Sequence, residues 1–164
     1  MDWDEYFMRM AYLVARKSKD NSTKIGTVIV KDKNVVATGF NGIPAGCRDD
    51  VEIRYERPLK YEFFSHSEVN SLFQCAKLGH SSKDTQVYTL GCPCSSCARG
   101  LIQAGCKEII IHKQWKEKAF NFFERWARSC EISLGLFRES GVAIREYDKH
   151  LNETILLSGL EIQI

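Results

Sequence analysis

Gln86-Val-Tyr-Thr-Leu-Gly-Cys-Pro-Cys94-Ser-Ser-Cys97-Ala-Arg-Gly-Leu-Ile-Gln-Ala104-Gly-Cys-Lys-Glu108-Ile-Ile-Ile-His112 reads as strand, helix, strand. Gln86–Leu90 and Glu108–His112 are short apolar runs rich in β-branched residues. Between them, Cys94–Ala104 has room for one short helix, which Gly105 stops. A strand that returns through a helix pairs in parallel, and a run such as Ile109-Ile-Ile111 has no polar face to give to water. The sheet is therefore expected to be covered on both sides.

Working outward, the alternation continues. Ala119–Ser140 reads as a long helix and Val142–Tyr147 as a strand. Upstream, Ser65–Leu78 reads as a helix ended by Gly79. Ile25–Val30 and Val35–Phe40 read as an antiparallel strand pair joined by the polar turn Lys31-Asp-Lys-Asn34. Trp3–Lys17 reads as an amphipathic helix with Trp3, Phe7, Met10 and Val14 inward and Asp2 or Asp4 at its start. In the long helix, Phe123, Trp126, Cys130, Leu134 and Phe137 form a stripe expected to lie in the core. Asn41–Lys60 has no sustained period and is long for a connector, and such loops are more often functional than idle. Leu156–Ile164 is expected to add an edge strand or to pack on a neighbour. The fold class is α/β, with a mixed, mostly parallel five-stranded sheet.

A chain of 164 residues with 44% apolar residues is the right size for one compact domain over residues 1–164. The formal net charge is only +2, with no run of Lys or Arg to follow a nucleic-acid backbone, so a small anionic ligand suits it better than a duplex. No stretch reaches the roughly twenty consecutive apolar residues of a membrane span. The acidic start Met1-Asp-Trp-Asp-Glu is unlike a secretion signal. A cytoplasmic location is expected. Seven cysteines are an odd set for a disulfide framework, and a reducing compartment favours metal ligation or burial. Cys47, Cys75, Cys106 and Cys130 are expected to be inert packing residues.

The chemistry is carried by His66-Ser-Glu68 and Pro93-Cys94-Ser-Ser-Cys97. One imidazole and two thiolates supply three ligands for Zn2+ and leave a fourth position for an activated water, which points to hydrolysis. If Pro93 opens a helix, Cys94 and Cys97 share one face of its first turn, where unpaired N–H groups favour the thiolate. His66 and Glu68 fall in the first turn of the preceding helix. Two helix N-termini could therefore face each other across one metal ion. Glu68 need not bind the metal; a carboxylate beside the water is placed to shuttle protons. Two other readings remain open: a redox Cys-x-x-Cys pair, which leaves His66 and Glu68 unexplained, and a closed structural zinc site with Cys92 as fourth ligand.

The two half-motifs resemble the H-x-E…P-C-x-x-C signature of the zinc-dependent cytidine deaminase superfamily. Three further stretches look like its deoxycytidylate (dCMP) deaminase branch over roughly residues 3–147: Lys17-Ser-Lys-Asp-Asn-Ser-Thr-Lys24, Gly39-Phe-Asn-Gly-Ile-Pro-Ala-Gly46 and His66-Ser-Glu-Val-Asn70. The resemblance implies a three-layer α/β/α fold, with His66, Cys94 and Cys97 on zinc and Glu68 as proton shuttle. It places Asn41 beside the sugar and Ser22, Thr23 and Lys24 near the 5′-phosphate. It implies conversion of dCMP to dUMP and ammonia, supplying dUMP for thymidylate synthesis. It further implies a homo-oligomer, hexamer or dimer, regulated by dCTP and dTTP, with Mg2+ accompanying the effector. The effector loop would include Gly39, Asn41, Gly42, Pro44 and Gly46.

Two residues depart from the family pattern. Ser67 stands where the family usually has Ala, and Cys92 is an added thiol. Rival substrates are dCTP, a C5-modified dCMP, cytidine or a tRNA adenosine. The rival from another class is a non-catalytic zinc module that binds a nucleotide or a partner.

Overall fold

In the computed structural model the described residues are 1–118 and 120–164, and the side chains of 116–123 lie outside the description. The elements run α1 (Trp3–Ala15), β1 (Gly26–Lys31), β2 (Asn34–Phe40), a 3₁₀ turn (Glu52–Tyr55), α2 (Lys60–Phe63), α3 (Ser67–Leu78), β3 (Gln86–Thr89), α4 (Ser95–Gln103), β4 (Glu108–His112), α5 (Lys113–Lys118), α6 (Phe120–Ser140), β5 (Ala143–Tyr147), β6 (Thr154–Leu157) and β7 (Leu160–Gln163).

The main sheet has the order β2-β1-β3-β4-β5. β1 pairs antiparallel with β2 and with β3, whereas β3–β4 and β4–β5 are parallel. Four strands thus share one direction and β1 alone opposes them. The β1–β2 connection shortens to Asp32-Lys33, both at positive φ, as a tight hairpin whose twist matches its strands requires.

Each face of the sheet has its own core. On one face Val28, Val30, Tyr88, Leu90 and Ile110 meet Phe7, Met8, Ala11, Tyr12 and Ala15 of α1. On the other, Ile29, Val87, Ile109 and Ile111 meet Cys75 of α3, Ala98 and Leu101 of α4 and Phe137 of α6. The three layers are those expected. The buried stripe of α1 is rotated from the expected one: Trp3 is half exposed and stacks on Phe7, while Met8, Ala11 and Tyr12 go inward. Asp2 is the cap of this helix, its Oδ1 accepting from Glu5 N at 2.8 Å.

The C-terminal segment departs from expectation. It neither extends the main sheet nor awaits a neighbour, but forms the separate hairpin β6–β7 and seals the α1 core with Ile155, Leu157 and Ile164. Ser158 and Gly159 both take positive φ at its turn. The hairpin also fixes the segment after α1. Lys24 N donates to Leu156 O at 3.0 Å, Gly159 N to Ser22 O at 2.7 Å and Ser158 N to Thr23 Oγ1 at 3.1 Å.

Other corrections concern single residues. Cys75, Cys106 and Cys130 are buried, but Cys47 is exposed. In α6 the buried residues are Cys130, Ser133 and Phe137; Leu134 faces solvent, and Trp126 is only part-buried. Phe123 and Ala119 lie outside the described side chains. Within the loop Asn41–Lys60 the backbone forms the 3₁₀ turn. The loop's ends are tied by Gly42 N to Ser65 O (3.0 Å) and Ser65 N to Gly42 O (2.9 Å). Among the described residues no helix is long and apolar enough to cross a membrane.

Candidate active site

Two helices enter the site by their N-termini, as the spacing suggested, but the ligands sit slightly earlier than expected. His66 is the N-cap of α3, not a residue of its first turn, and Cys94 is the N-cap of α4. Both caps are extended and neither side chain makes a capping hydrogen bond, and the imidazole and the thiol face each other. Pro93 accordingly precedes the cap, where its fixed φ sets the approach of the chain. α6 holds the α4 terminus from the side: Ser95 N donates to Ser129 Oγ at 2.8 Å, satisfying one orphan amide.

His66 Nδ1 lies 3.4 Å from Cys94 Sγ and 3.4 Å from Cys97 Sγ. Zn–N and Zn–S bonds of about 2.0 and 2.3 Å in tetrahedral geometry put N and S about 3.5 Å apart, so this donor set fits a zinc ion. Among the described residues these three are the one group of His, Cys, Asp or Glu donors close enough to hold a metal. Cys92 does not join them; its thiol donates to Pro93 O at 3.6 Å, and a closed four-ligand shell is not built. The three groups share their protons. Hydrogen bonds from the Cys97 thiol and then from His66 pull Cys94 down to about 4, and the bond to Cys94 raises His66 to about 9. Cys97 is held in the thiol form by its bond to Cys94. Loading zinc must therefore displace protons from His66 and Cys97.

Glu68, in the first turn of α3, is buried beside this triad, and burial pushes its carboxyl up from the ordinary range. The surrounding cavity, about 100 Å³, has an aromatic and a polar side. Tyr61, Phe64, Trp115 and Trp126 form the first, with the Trp126 ring edge-on to His66 at 5.9 Å. The stripe of α6 read as core thus supplies a pocket wall: periodicity identifies a non-solvent face but not what it faces.

Asp20, Thr23, Asn41 and Lys60 form the polar side. Asn41 is held by its own frame: Oδ1 accepts from Ile25 N at 2.8 Å, and Nδ2 donates to Thr23 O (2.8 Å) and Asp20 Oδ2 (3.0 Å), so both amide protons are used and Oδ1 keeps one accepting site. Of the expected phosphate contacts, Thr23 reaches the cavity, whereas Ser22 and Lys24 lie beside its wall. Ser22 Oγ accepts from Arg57 at 3.3 Å, and Arg57 was not singled out in the sequence. Neither were Asp20 and Lys60, a buried ion pair at 2.6 Å. No sequence signal marks that pair beyond its place in and beside the stretches that resemble the family. The expected effector loop divides. Asn41 faces the first cavity, while Gly39, within β2 under α3, and Gly42, Pro44 and Gly46 line a second hollow of about 730 Å³ with Lys17, Lys19 and Lys77.

Residues 1–113 match the family model described as the cytidine and deoxycytidylate deaminase zinc-binding region. The chain belongs to the cytidine and deoxycytidylate deaminase family. Its deaminase relatives include the deoxycytidylate deaminase of Homo sapiens, 38% identical over 153 residues, covering 90% of this chain and 80% of that protein. The deoxycytidylate deaminase of Mus musculus is 32% identical over 162 residues, covering 95% and 85%. Among solved structures, the dCMP deaminase of cyanophage S-TIM5 in complex with dCMP and dUMP superposes with a TM-score of 0.66 at 23% identity. It covers 87% of this chain and 95% of that one. This likeness concerns the fold. The chain is a zinc-dependent deaminase, and the three-layer architecture is that of its structural neighbours.

Proposed function

We propose that residues 1–164 form one deaminase domain that hydrolyses dCMP to dUMP and ammonia. The observation that carries this reading is the buried Glu68 carboxyl beside the convergent His66, Cys94 and Cys97 donors, in a cavity with one aromatic and one polar side. The deoxycytidylate deaminases that cover most of the chain support the choice of substrate.

His66, Cys94 and Cys97 would hold the zinc ion, which when bound supplies the Lewis acidity that activates a water at its open position. Glu68 accepts a proton from the attacking water and delivers it to N3 of cytosine as the oxygen adds to C4. The remaining proton of the C4 hydroxyl, passed by Glu68 to the exocyclic amine, releases ammonia as the C–N bond breaks and leaves the C4 carbonyl of uracil. A carboxyl whose proton affinity is raised by burial suits this task, because it must hold the proton between two transfers. Tyr61, Phe64 and Trp126 enclose the base. The polar side receives the deoxyribose and directs the 5′-phosphate towards Ser22–Lys24 and Arg57.

The same reading includes a cytoplasmic location, supported by a thiolate site that needs a reducing compartment and by seven cysteines of which none is in a disulfide. It also includes homo-oligomerisation, as a hexamer or dimer, and control by dCTP and dTTP with Mg2+ at the Gly42–Gly46 loop. Lys17, Lys19 and Lys77 line the larger hollow together with Asp49, which pairs with Lys19 at 2.7 Å, and the net positive lining suits an anionic effector. Product dUMP would feed thymidylate synthesis.

The test is ammonia release from dCMP, dCTP, 5-hydroxymethyl-dCMP and cytidine, each with and without dCTP and dTTP. Preferred turnover of dCMP supports the proposal. Zinc-loaded protein that turns over no cytosine mononucleotide overturns it.

A further inference from the structure

Ser67 lies between His66 and Glu68, and the structure gives its hydroxyl partners. Ser67 Oγ donates to Glu68 Oε2 at 3.1 Å and lies 2.8 Å from Thr27 Oγ1, and the single proton of Thr27 has either Ser67 Oγ or Thr89 Oγ1, 3.1 Å away, as its acceptor. Thr27 and Thr89 are cross-strand partners on β1 and β3. Ser67, Thr27 and Thr89 are fully buried, and Glu68 is 6% exposed. The threonines share their face of the sheet with Ile29 and Val87, which pack into an apolar core. Valine would fill the same volume there, while a buried hydroxyl costs about 1–3 kcal/mol unless it is hydrogen-bonded. Among the described residues the row of hydroxyls ends on one ionisable side chain, Glu68.

We propose that Ser67 is a positioning residue for Glu68, held in place by Thr27 and Thr89, and that this row fixes the carboxyl against the reacting atoms. The inference rests on Glu68 being the proton shuttle. A glutamate has three side-chain torsions, and misplacement of a reacting group by about 1 Å costs on the order of a hundredfold in rate. Tying Oε2 to the sheet leaves Oε1 as the oxygen presented to the cavity. Hydroxyls suit this anchor because they both donate and accept, so Oε2 keeps a partner whether or not Glu68 carries the transferred proton. Each hydroxyl has a single proton: Thr27 donates to Ser67 when Ser67 donates to Glu68, and to Thr89 when Ser67 turns its own proton to Thr27. Ser71 Oγ donates to the Glu68 carbonyl at 2.7 Å and not to its carboxyl, whose partners are Ser67, the Glu68 amide and the Cys97 thiol.

The experiment compares Ser67→Ala, Thr27→Val and the double variant with wild type and Glu68→Gln, measuring kcat and KM for dCMP, bound zinc and Tm. Ser67→Ala is expected to lower kcat roughly ten- to a hundredfold with KM, zinc content and Tm preserved. Thr27→Val, isosteric with threonine, should lower kcat less. Because the hydroxyls act as a unit, the double variant should be no slower than Ser67→Ala. Wild-type kcat in Ser67→Ala overturns the inference. A loss of kcat that follows loss of zinc or of Tm also overturns it, since the row would then serve only to fasten α3 to the sheet. The two readings fail separately. Turnover retained by Glu68→Gln removes the shuttle itself, whereas an inactive Glu68→Gln beside a fully active Ser67→Ala removes only the role of the hydroxyls.

Discussion

Lys60 Nζ lies 2.6 Å from Asp20 Oδ2 and 2.7 Å from Oδ1, with both side chains almost wholly withdrawn from water. The pair links α2 to the segment after α1 across the polar side of the active-site cavity. Asp20 also accepts from the amides of Ser22 (2.8 Å) and Thr23 (3.2 Å) and from Asn41 Nδ2 (3.0 Å), so it organises every expected sugar and phosphate contact except Lys24. Lys60 is its one cationic partner among these.

Removing that partner should therefore be costly. Lys60→Met leaves a buried carboxylate unpaired, at about 3 kcal/mol, or a fall in Tm of roughly 10 °C for a chain of this size. KM for dCMP should rise as the segment loosens. Asp20→Asn combined with Lys60→Met should recover part of the lost stability, because the orphaned charge is gone. Thermal unfolding of the two variants checks this, and a Lys60→Met protein as stable as wild type would contradict it.

Gly39→Ala should damage the site from behind. An added Cβ would stand 2.3 Å from Ser67 O and 2.4 Å from Ser71 N, both backbone atoms of α3 that cannot give way without moving the helix. His66 and Glu68 ride on that terminus. Overpacking of this kind costs about 1–3 kcal/mol or more, and zinc content should fall together with kcat. Metal analysis of the purified variant is the measurement. Full zinc with unchanged kcat would contradict the role assigned to this close approach.

Acid sensitivity should trace in part to His112, which lies in the α1-side core. Its Nε2 donates to Lys149 O at 2.9 Å, its Nδ1 lies 2.6 Å from Tyr12 Oη, which donates to it when the ring is neutral, and burial holds its pKa below the ordinary 6.5. In the unfolded chain the ring takes up a proton near 6.5, while in the native protein it does so only at lower pH. Below about pH 6.5 the unfolded state is thus the more protonated, and stability falls with acid. Above that pH the group contributes no slope. His112→Gln should be less stable at neutral pH but lose less on going to about pH 5. Denaturant titrations across that range decide it, and parallel pH profiles would contradict the assignment.

Cys92→Ala should retain stoichiometric zinc, because the Cys92 thiol bonds the Pro93 carbonyl and stands apart from the three donors. Zinc lost from this variant alone would revive the closed structural site.

The chemistry was more legible than the cavity that surrounds it. His66, Cys94 and Cys97 carry scarce side chains at spacings that only a few sites use, Glu68 is marked by standing two residues from one of them, and glycines at positive φ, such as Gly79 and Gly105, mark the ends of the helices that position them. Lys60 gave no signal, since a lysine in an aperiodic loop reads as solvated until its partner forty residues away is known. Trp126 sat in a stripe whose period is the same for a core wall and a pocket wall. Leu156–Ile164 was misread for a local reason: Ser158-Gly159 is a turn dipeptide within an apolar run, and it separates two short strands that pair with each other. Thr27, Ser67 and Thr89 could not have been joined from the sequence, because their contact depends on strand register and on the depth of α3 against β1.

The central claim is that Glu68 moves protons beside a zinc ion held by His66, Cys94 and Cys97. It is tested most directly by measuring zinc content, dCMP binding and ammonia release for wild type and Glu68→Gln side by side. The account predicts equal zinc, comparable dCMP affinity and a loss of turnover by at least about a thousandfold, towards the upper end of what general acid–base catalysis contributes. Turnover of dCMP by Glu68→Gln within tenfold of wild type would contradict it.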